Sequence, residues 1–183
     1  MKEARDYIWI IPLVAGVFTL IAILTPTAIC YPRYLIPTAC YGNNWDWWMW
    51  NFQRRGDNSI LLFISGMNFI IPSILTTSVV LLSAINLLIF SIRTKMRTLN
   101  TKDFELMSIF SAVVLIGIMI FYVIAMDIAN YDRYGYYFWE AYQPGFGIFL
   151  PFISAALSLI GVGRSRYYSK RKEDNNPPQM DTI

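Results

Sequence analysis

The side chains able to do chemistry in this chain are few, and they fall into three groups. Asp127, Asp132 and Glu140 lie close together among tyrosines and Arg133. Carboxylates so placed suit general acid–base work on a lipid at a membrane surface, although carboxylates beside Tyr and Arg more often act as solvated partners. Asn68, Thr76 and Asn86 form a second group, with Pro72 between the first two. In a helix they suit either a polar track for a small solute or hydrogen bonds between helices worth about 0.6–2 kcal/mol each. Cys30 and Cys40 are the only two cysteines. In an oxidising compartment they can close a short disulfide loop worth about 2–3 kcal/mol, or remain as two thiols.

Much is missing from this inventory. Histidine is absent, which removes the commonest general base, the commonest metal ligand and the usual activator of a serine or cysteine nucleophile. There is no Gly-rich phosphate loop, no paired metal-ligand cysteine motif and no N-x-Ser/Thr sequon. The expectation is a protein that is not an enzyme, with no catalytic residues, no cofactor and no metal. A small transporter or channel built on Asn68 and Pro72, and a lipid-acting enzyme built on the three carboxylates, stand as alternatives.

Four stretches without a charged side chain must position these groups: Tyr7 to Ile29, Ser59 to Ile92, Leu106 to Met126 and Ala141 to Gly163. Crossing a bilayer takes about 20 helical residues, so each is long enough. The fold class expected is an all-α integral membrane protein, a four-transmembrane-helix bundle with spans at about 7–29, 59–92, 106–126 and 141–163. The first run is too long for a signal core and reads as a retained helix. The second is overlong, and Pro72 predicts a kink within it. The fourth carries Gly147, Pro151, Ser154, Ser158 and Gly161 at spacings of three and four, which puts small residues on one face for close helix packing.

Basic residues orient the bundle. Eleven of the 15 Lys and Arg lie before the first run, between the second and third, or after the fourth. The positive-inside rule places both termini in the cytoplasm, most simply at the cell membrane. Residues 164–183 read as a tail, basic and then polar and disordered, whose cluster from Arg164 to Lys172 suits anionic lipid, not nucleic acid.

The outer segments 30–58 and 127–140 are correspondingly aromatic. Trp45, Trp47, Trp48 and Trp50 crowd the first, and Tyr136, Tyr137, Phe138 and Trp139 the second. An interfacial belt accounts for some of them. The cytoplasmic side has nothing comparable, which favours an aromatic extracellular cap. The Trp45/Trp47 alternation suits a short sheet there. These eight residues are the candidate contacts with a membrane-protein partner or a second copy.

This layout resembles the claudin and peripheral-myelin-protein group of tetraspan proteins. The shared features are four spans, cytoplasmic ends, a first outer loop with tryptophans and two cysteines, and a last span reading Gly145-Phe146-Gly147 through Ala155-Ala156-Leu157-Ser158-Leu159-Ile160-Gly161. In that group the cysteines follow the tryptophan motif, whereas Cys30 and Cys40 precede it. The resemblance implies adhesion, paracellular sealing or organisation of other membrane proteins, without catalysis.

Overall fold

The computed structural model describes residues 7–30, 45–55, 61–63 and 66–175, with backbone alone at 45, 53–55, 61–63 and 171–175. The first uncharged run divides into two elements. Helix α1 spans Ile10–Leu24 and strand β1 spans Pro26–Cys30. Pro26 is the cause, because a residue before proline is pushed out of helical geometry. Thr25 accordingly sits at φ −107 and ψ 151. Its hydroxyl donates back to the Ile21 carbonyl at 3.0 Å, occupying one of the last free acceptors of the helix. The helix expected over 7–29 therefore ends at Leu24. At 15 residues it is about 22 Å long.

The overlong second run divides as well. Strands β2 (Trp45–Trp48) and β3 (Phe52–Arg55) precede it, strand β4 takes Leu61–Phe63, and helix α2 takes Met67–Lys95. Gly66 opens α2, its carbonyl accepting from Phe69 N at 2.9 Å and Ile70 N at 3.0 Å. Part of the surplus length is thus strand, and α2 continues through Pro72. Helix α3 spans Thr101–Tyr134, longer at both ends than 106–126. Asn100 Oδ1 caps its start by accepting from Asp103 N at 2.8 Å. Gly135 ends it at φ 77, the left-handed geometry that glycine adopts most easily.

The fourth run starts in other elements. A single turn, α4, covers Phe138–Ala141, strand β5 covers Gln143–Pro144, and helix α5 runs Phe146–Asn175. Helix therefore replaces the first part of the tail expected from residue 164. Lys and Arg are good helix formers, and residues 164–175 contain no Gly or Pro to break the ladder.

Helices α2, α3 and α5 are long and apolar enough to cross a membrane, while α1 is a shorter apolar helix. Their outward faces are apolar: Leu82, Phe110 and Ile160 are 66%, 63% and 55% exposed. Such a surface needs a partner other than water. Helix α1 packs on α2 and α5, and α3 packs on the same two. The strands form one antiparallel sheet ordered β4-β3-β2-β1-β5 at one end of this bundle. The β2–β3 turn closes through Asn51 N donating to the Trp48 carbonyl at 3.0 Å, with Asn51 at φ 67. Asparagine tolerates that geometry better than most residues.

The small-residue face of α5 lies inside the bundle. Gly147, Pro151, Ser154, Ser158 and Gly161 are all buried. Ser154 Oγ lies 2.9 Å from the Ala15 carbonyl oxygen of α1 and bonds to it. A Cβ on Gly147 would sit 2.7 Å from the Thr25 carbonyl oxygen and 2.9 Å from that of Ala22, both backbone atoms. Gly147→Ala must therefore push α1 and α5 apart, at about 1–3 kcal/mol. Gly117, on α3, has nothing within 4 Å of the equivalent position. Thermal unfolding in detergent is expected to show a lower midpoint for Gly147→Ala and an unchanged or higher one for Gly117→Ala.

Candidate functional site

Strand alternation decides what the tryptophans of β2 do. Trp47 points inward and is 4% exposed, while Trp48 is half-buried. The Trp47 ring is held by three others: Phe69 of α2 at 5.5 Å between centroids, Phe138 of α4 at 5.3 Å and Tyr142 at 5.8 Å. The last two meet it edge-on, the favoured arrangement for aromatic quadrupoles. Phe138 and Tyr142 stack on each other at 4.3 Å. Thr27 Oγ1 donates to the Trp47 carbonyl at 2.9 Å and lies 3.3 Å from the Tyr122 hydroxyl of α3. Trp47 thus plugs the sheet end of the bundle.

The remaining members of the aromatic set take other positions. Trp48 Nε1 donates to the Leu24 carbonyl at 3.3 Å, capping the end of α1. Trp50 lies on the turn and is 39% exposed. Trp139 donates twice to α3, from N to Asp127 Oδ1 at 3.1 Å and from Nε1 to the Val123 carbonyl at 3.0 Å. Asn130 Nδ2 donates to the Tyr136 carbonyl at 2.8 Å. The segment 136–139 is stapled to α3 by these bonds. The side chain of Trp45 lies outside the described residues.

The stapling leaves a row of tyrosines on the surface. Tyr131, Tyr134 and Tyr137 are 50%, 52% and 48% exposed. They are stacked: Tyr131 on Tyr137 at 5.0 Å and Tyr134 on Tyr136 at 6.0 Å. The Arg133 guanidinium lies 5.3 Å from the centre of the Tyr134 ring. Tyr131 and Tyr134 are absent from the eight contact candidates, although their three-residue spacing puts them on one helix face. Phe69 and Thr27 carry no local signal, since they belong to the site only through the fold.

Two of the three carboxylates have main-chain partners. Asp127 accepts from Trp139 N, and Glu140 Oε2 accepts from Tyr137 N at 3.2 Å. Asp132 lines a cleft of about 310 Å³ with Asn68, Gly66 and Arg133. An adjoining cleft of about 340 Å³ is lined by Asn68, Ile71, Pro72, Ala125 and Ile128 among others. Thr76 and Asn86 line neither cleft. Thr76 is buried, and Asn86 Nδ2 reaches Ser111 Oγ on α3 at 3.5 Å. Asn68 and Pro72 are therefore brought together, while the rest of the polar track is spread along the helix. Among the described residues no three His, Cys, Asp or Glu side chains gather to hold a metal ion.

Cys30 ends β1, fully buried, with Sγ 3.2 Å from the Ala141 carbonyl oxygen. Cys40 lies outside the described residues. At the far end of the bundle, Lys95 Nζ sits 4.6 Å over the Trp9 ring and Arg166 Nε pairs with Glu105 at 3.0 Å. Arg164 and Lys170 are exposed there, and the side chains of Arg171 and Lys172 are not described.

No family model, no curated protein and no solved structure matches this chain.

Trp47→Ala is expected to remove about 3–5 kcal/mol of stability, the range for truncating a buried aromatic side chain. Near-ultraviolet circular dichroism and the unfolding midpoint in detergent should both fall sharply, with helix content at low temperature retained.

Proposed function

We propose that this chain is a non-enzymatic four-span membrane protein. Its aromatic outer end makes protein–protein contacts, in adhesion, membrane organisation or as an accessory subunit of a membrane complex. The observation that carries the reading is the row of stacked, half-exposed tyrosines at 131, 134 and 137, with Arg133 over one ring. Tyr and Arg are the residues most often found at the energetic centre of interfaces. Rings already held by their neighbours lose little freedom on binding. Self-association and a separate membrane-protein partner both fit such a surface.

Sidedness in this reading follows from charge. Arg93, Lys95, Arg97, Lys102, Arg164, Arg166 and Lys170 gather at the end away from the sheet. That end is assigned to the cytoplasm, with Arg164 and Lys170 facing anionic headgroups. The sheet then lies outside. Helix α1 counts as the fourth span, its short length met by local thinning of the bilayer and by the interfacial Trp9. The layout keeps its resemblance to the claudin and peripheral-myelin-protein group, which is a likeness of topology.

The test is purification in mild detergent followed by measurement of particle mass. Self-association or a co-purifying protein is expected for the natural sequence. Tyr134→Ala with Tyr137→Ala should weaken it tenfold or more while leaving the unfolding midpoint within a few degrees. A particle with the mass of one chain and no companion would overturn the reading.

The same reading joins Cys30 to Cys40 on the oxidising side. Cys30, buried at the end of β1, is one half of the proposed pair. Peptide mapping without reductant is expected to yield the cross-linked pair, and alkylation of both thiols without reductant would exclude it.

A further inference from the structure

The β2–β3 hairpin has a polarity that runs along its length. Its open end pairs Trp45 with Arg55 and Asp46 with Arg54, whereas the turn from Trp48 to Phe52 has no charged residue. The register with β1 fixes which end is near the helices. Trp48 lies opposite Pro26, just past the end of α1, and Trp45 lies opposite Cys30. At about 3.3 Å per residue, the charged end is therefore about 10–13 Å farther from the helix end than the turn. Trp48 confirms the level by reaching the Leu24 carbonyl.

At this level the bundle surface beside α1 and α5 is apolar. Leu24 at the end of α1 and Phe146 at the start of α5 are 73% and 75% exposed. The turn continues this collar. Met49 is fully buried, and the left-handed geometry of Asn51 turns the chain so that Trp50 remains outside. Trp50 packs on Phe52 at 4.7 Å between ring centroids.

The geometry points to the bilayer as the occupant of this face: the Trp48–Phe52 turn is an interfacial anchor, with the Trp50 indole at the boundary between headgroups and acyl chains. The sheet is thereby held against the membrane at its turn, with its open end directed away from the helices. Indole favours this boundary because one end is apolar and the N–H remains wet. This rests on the membrane reading of the helices and is independent of the tyrosine row.

The test uses the whole protein reconstituted into phosphatidylcholine vesicles with or without bromine near the start of the acyl chains. Bromine quenches indoles it touches. The natural sequence should lose emission in brominated vesicles, and Trp50→Phe should lose a smaller fraction, with Trp50→Tyr as a second variant if the first unfolds. Iodide added to the water should quench a fraction of the Trp50→Phe emission at least as large as in the natural sequence, because the variant loses an emitter that the water does not reach. Equal bromine quenching in the natural sequence and both variants would overturn the anchor, as would iodide quenching that vanishes with Trp50. Binding of a companion protein that depends on Trp50, with no bromine contact, would assign the face to that protein and also overturn it. Loss of companion binding through Tyr134 and Tyr137 alone leaves the bromine result unaffected, so the two readings fail separately.

Discussion

The structure hangs on one place where two stretches of backbone come almost into contact: the junction between α1 and β1, and the junction between β5 and α5. Gly145 N donates to the Thr27 carbonyl at 2.8 Å, and Ala28 pairs with Pro144 in the sheet. A Cβ on Gly145 would collide with the Pro26 carbonyl, and one on Gly147 with those of Thr25 and Ala22. Backbone groups next to an apolar medium must find partners within the protein. The chain leaves helical geometry at Thr25, at the edge of the apolar surface, and its freed carbonyls are met at once. Trp48 supplies an indole N–H, Thr25 a hydroxyl and Gly145 a main-chain N–H. Two glycines make that proximity possible. The sheet takes its position over the bundle from this junction, and Trp47 takes its position from the sheet.

Below the junction the helices are held by small residues and local hydroxyl bonds in place of charge. Thr19 donates to the Ala15 carbonyl at 2.7 Å, and Ser158 to that of Ser154 at 3.0 Å. Ser154 Oγ lies 2.9 Å from both the Ala15 and Leu150 carbonyl oxygens, so its one hydroxyl proton is shared between a partner across the helix pair and one within its own helix. Hydroxyls satisfied in this way keep a polar atom out of the hydrocarbon while remaining small enough for close packing. Pro72 and Pro151 sit alike in α2 and α5, each in the second turn and each buried. A proline there leaves the carbonyl four residues back without its helical partner. In both helices the loosened turn lies at the sheet end, where the packing is aromatic.

How much of this was legible depends on how local each signal is. The small face of α5 could be read directly, because helical spacing alone places Gly147, Ser154 and Gly161 on one side. The ends of α3 could not be read the same way: the expected span stopped at 106 and 126, where charge begins, whereas the helix runs on to its caps at Asn100 and Gly135. The uncharged runs located apolar material without telling helix from strand. Leu61–Phe63 is as apolar as the helix after it, and a short apolar strand has no periodicity of its own. The span expected over 7–29 ran past Pro26, and what followed that proline depended on β2 and β5, which lie far away in the chain. The Trp45/Trp47 alternation marked a strand correctly. Its inward ring could be assigned only once Phe69, Phe138 and Tyr142 had been brought to it from three other elements.

That inward ring changes how the aromatic end should be understood. Self-packing and the proposed outward contact look like competing uses of the same residues, but strand and helix geometry divides the rings between an inward and an outward set. Trp47, Phe138 and Tyr142 fill the interior, and filling it fixes the segment that follows α3. Three hydrogen bonds from Trp139 and Asn130 then lock that segment against α3. Tyr131, Tyr134 and Tyr137 are left outside in stacked positions that they hold without a partner. Ordering a free side chain at an interface costs about 0.5–1.5 kcal/mol, and much of that cost is already met here by folding. The buried tryptophan therefore helps to position the exposed tyrosines, and in the proposed contact role that ordering lowers the cost of binding.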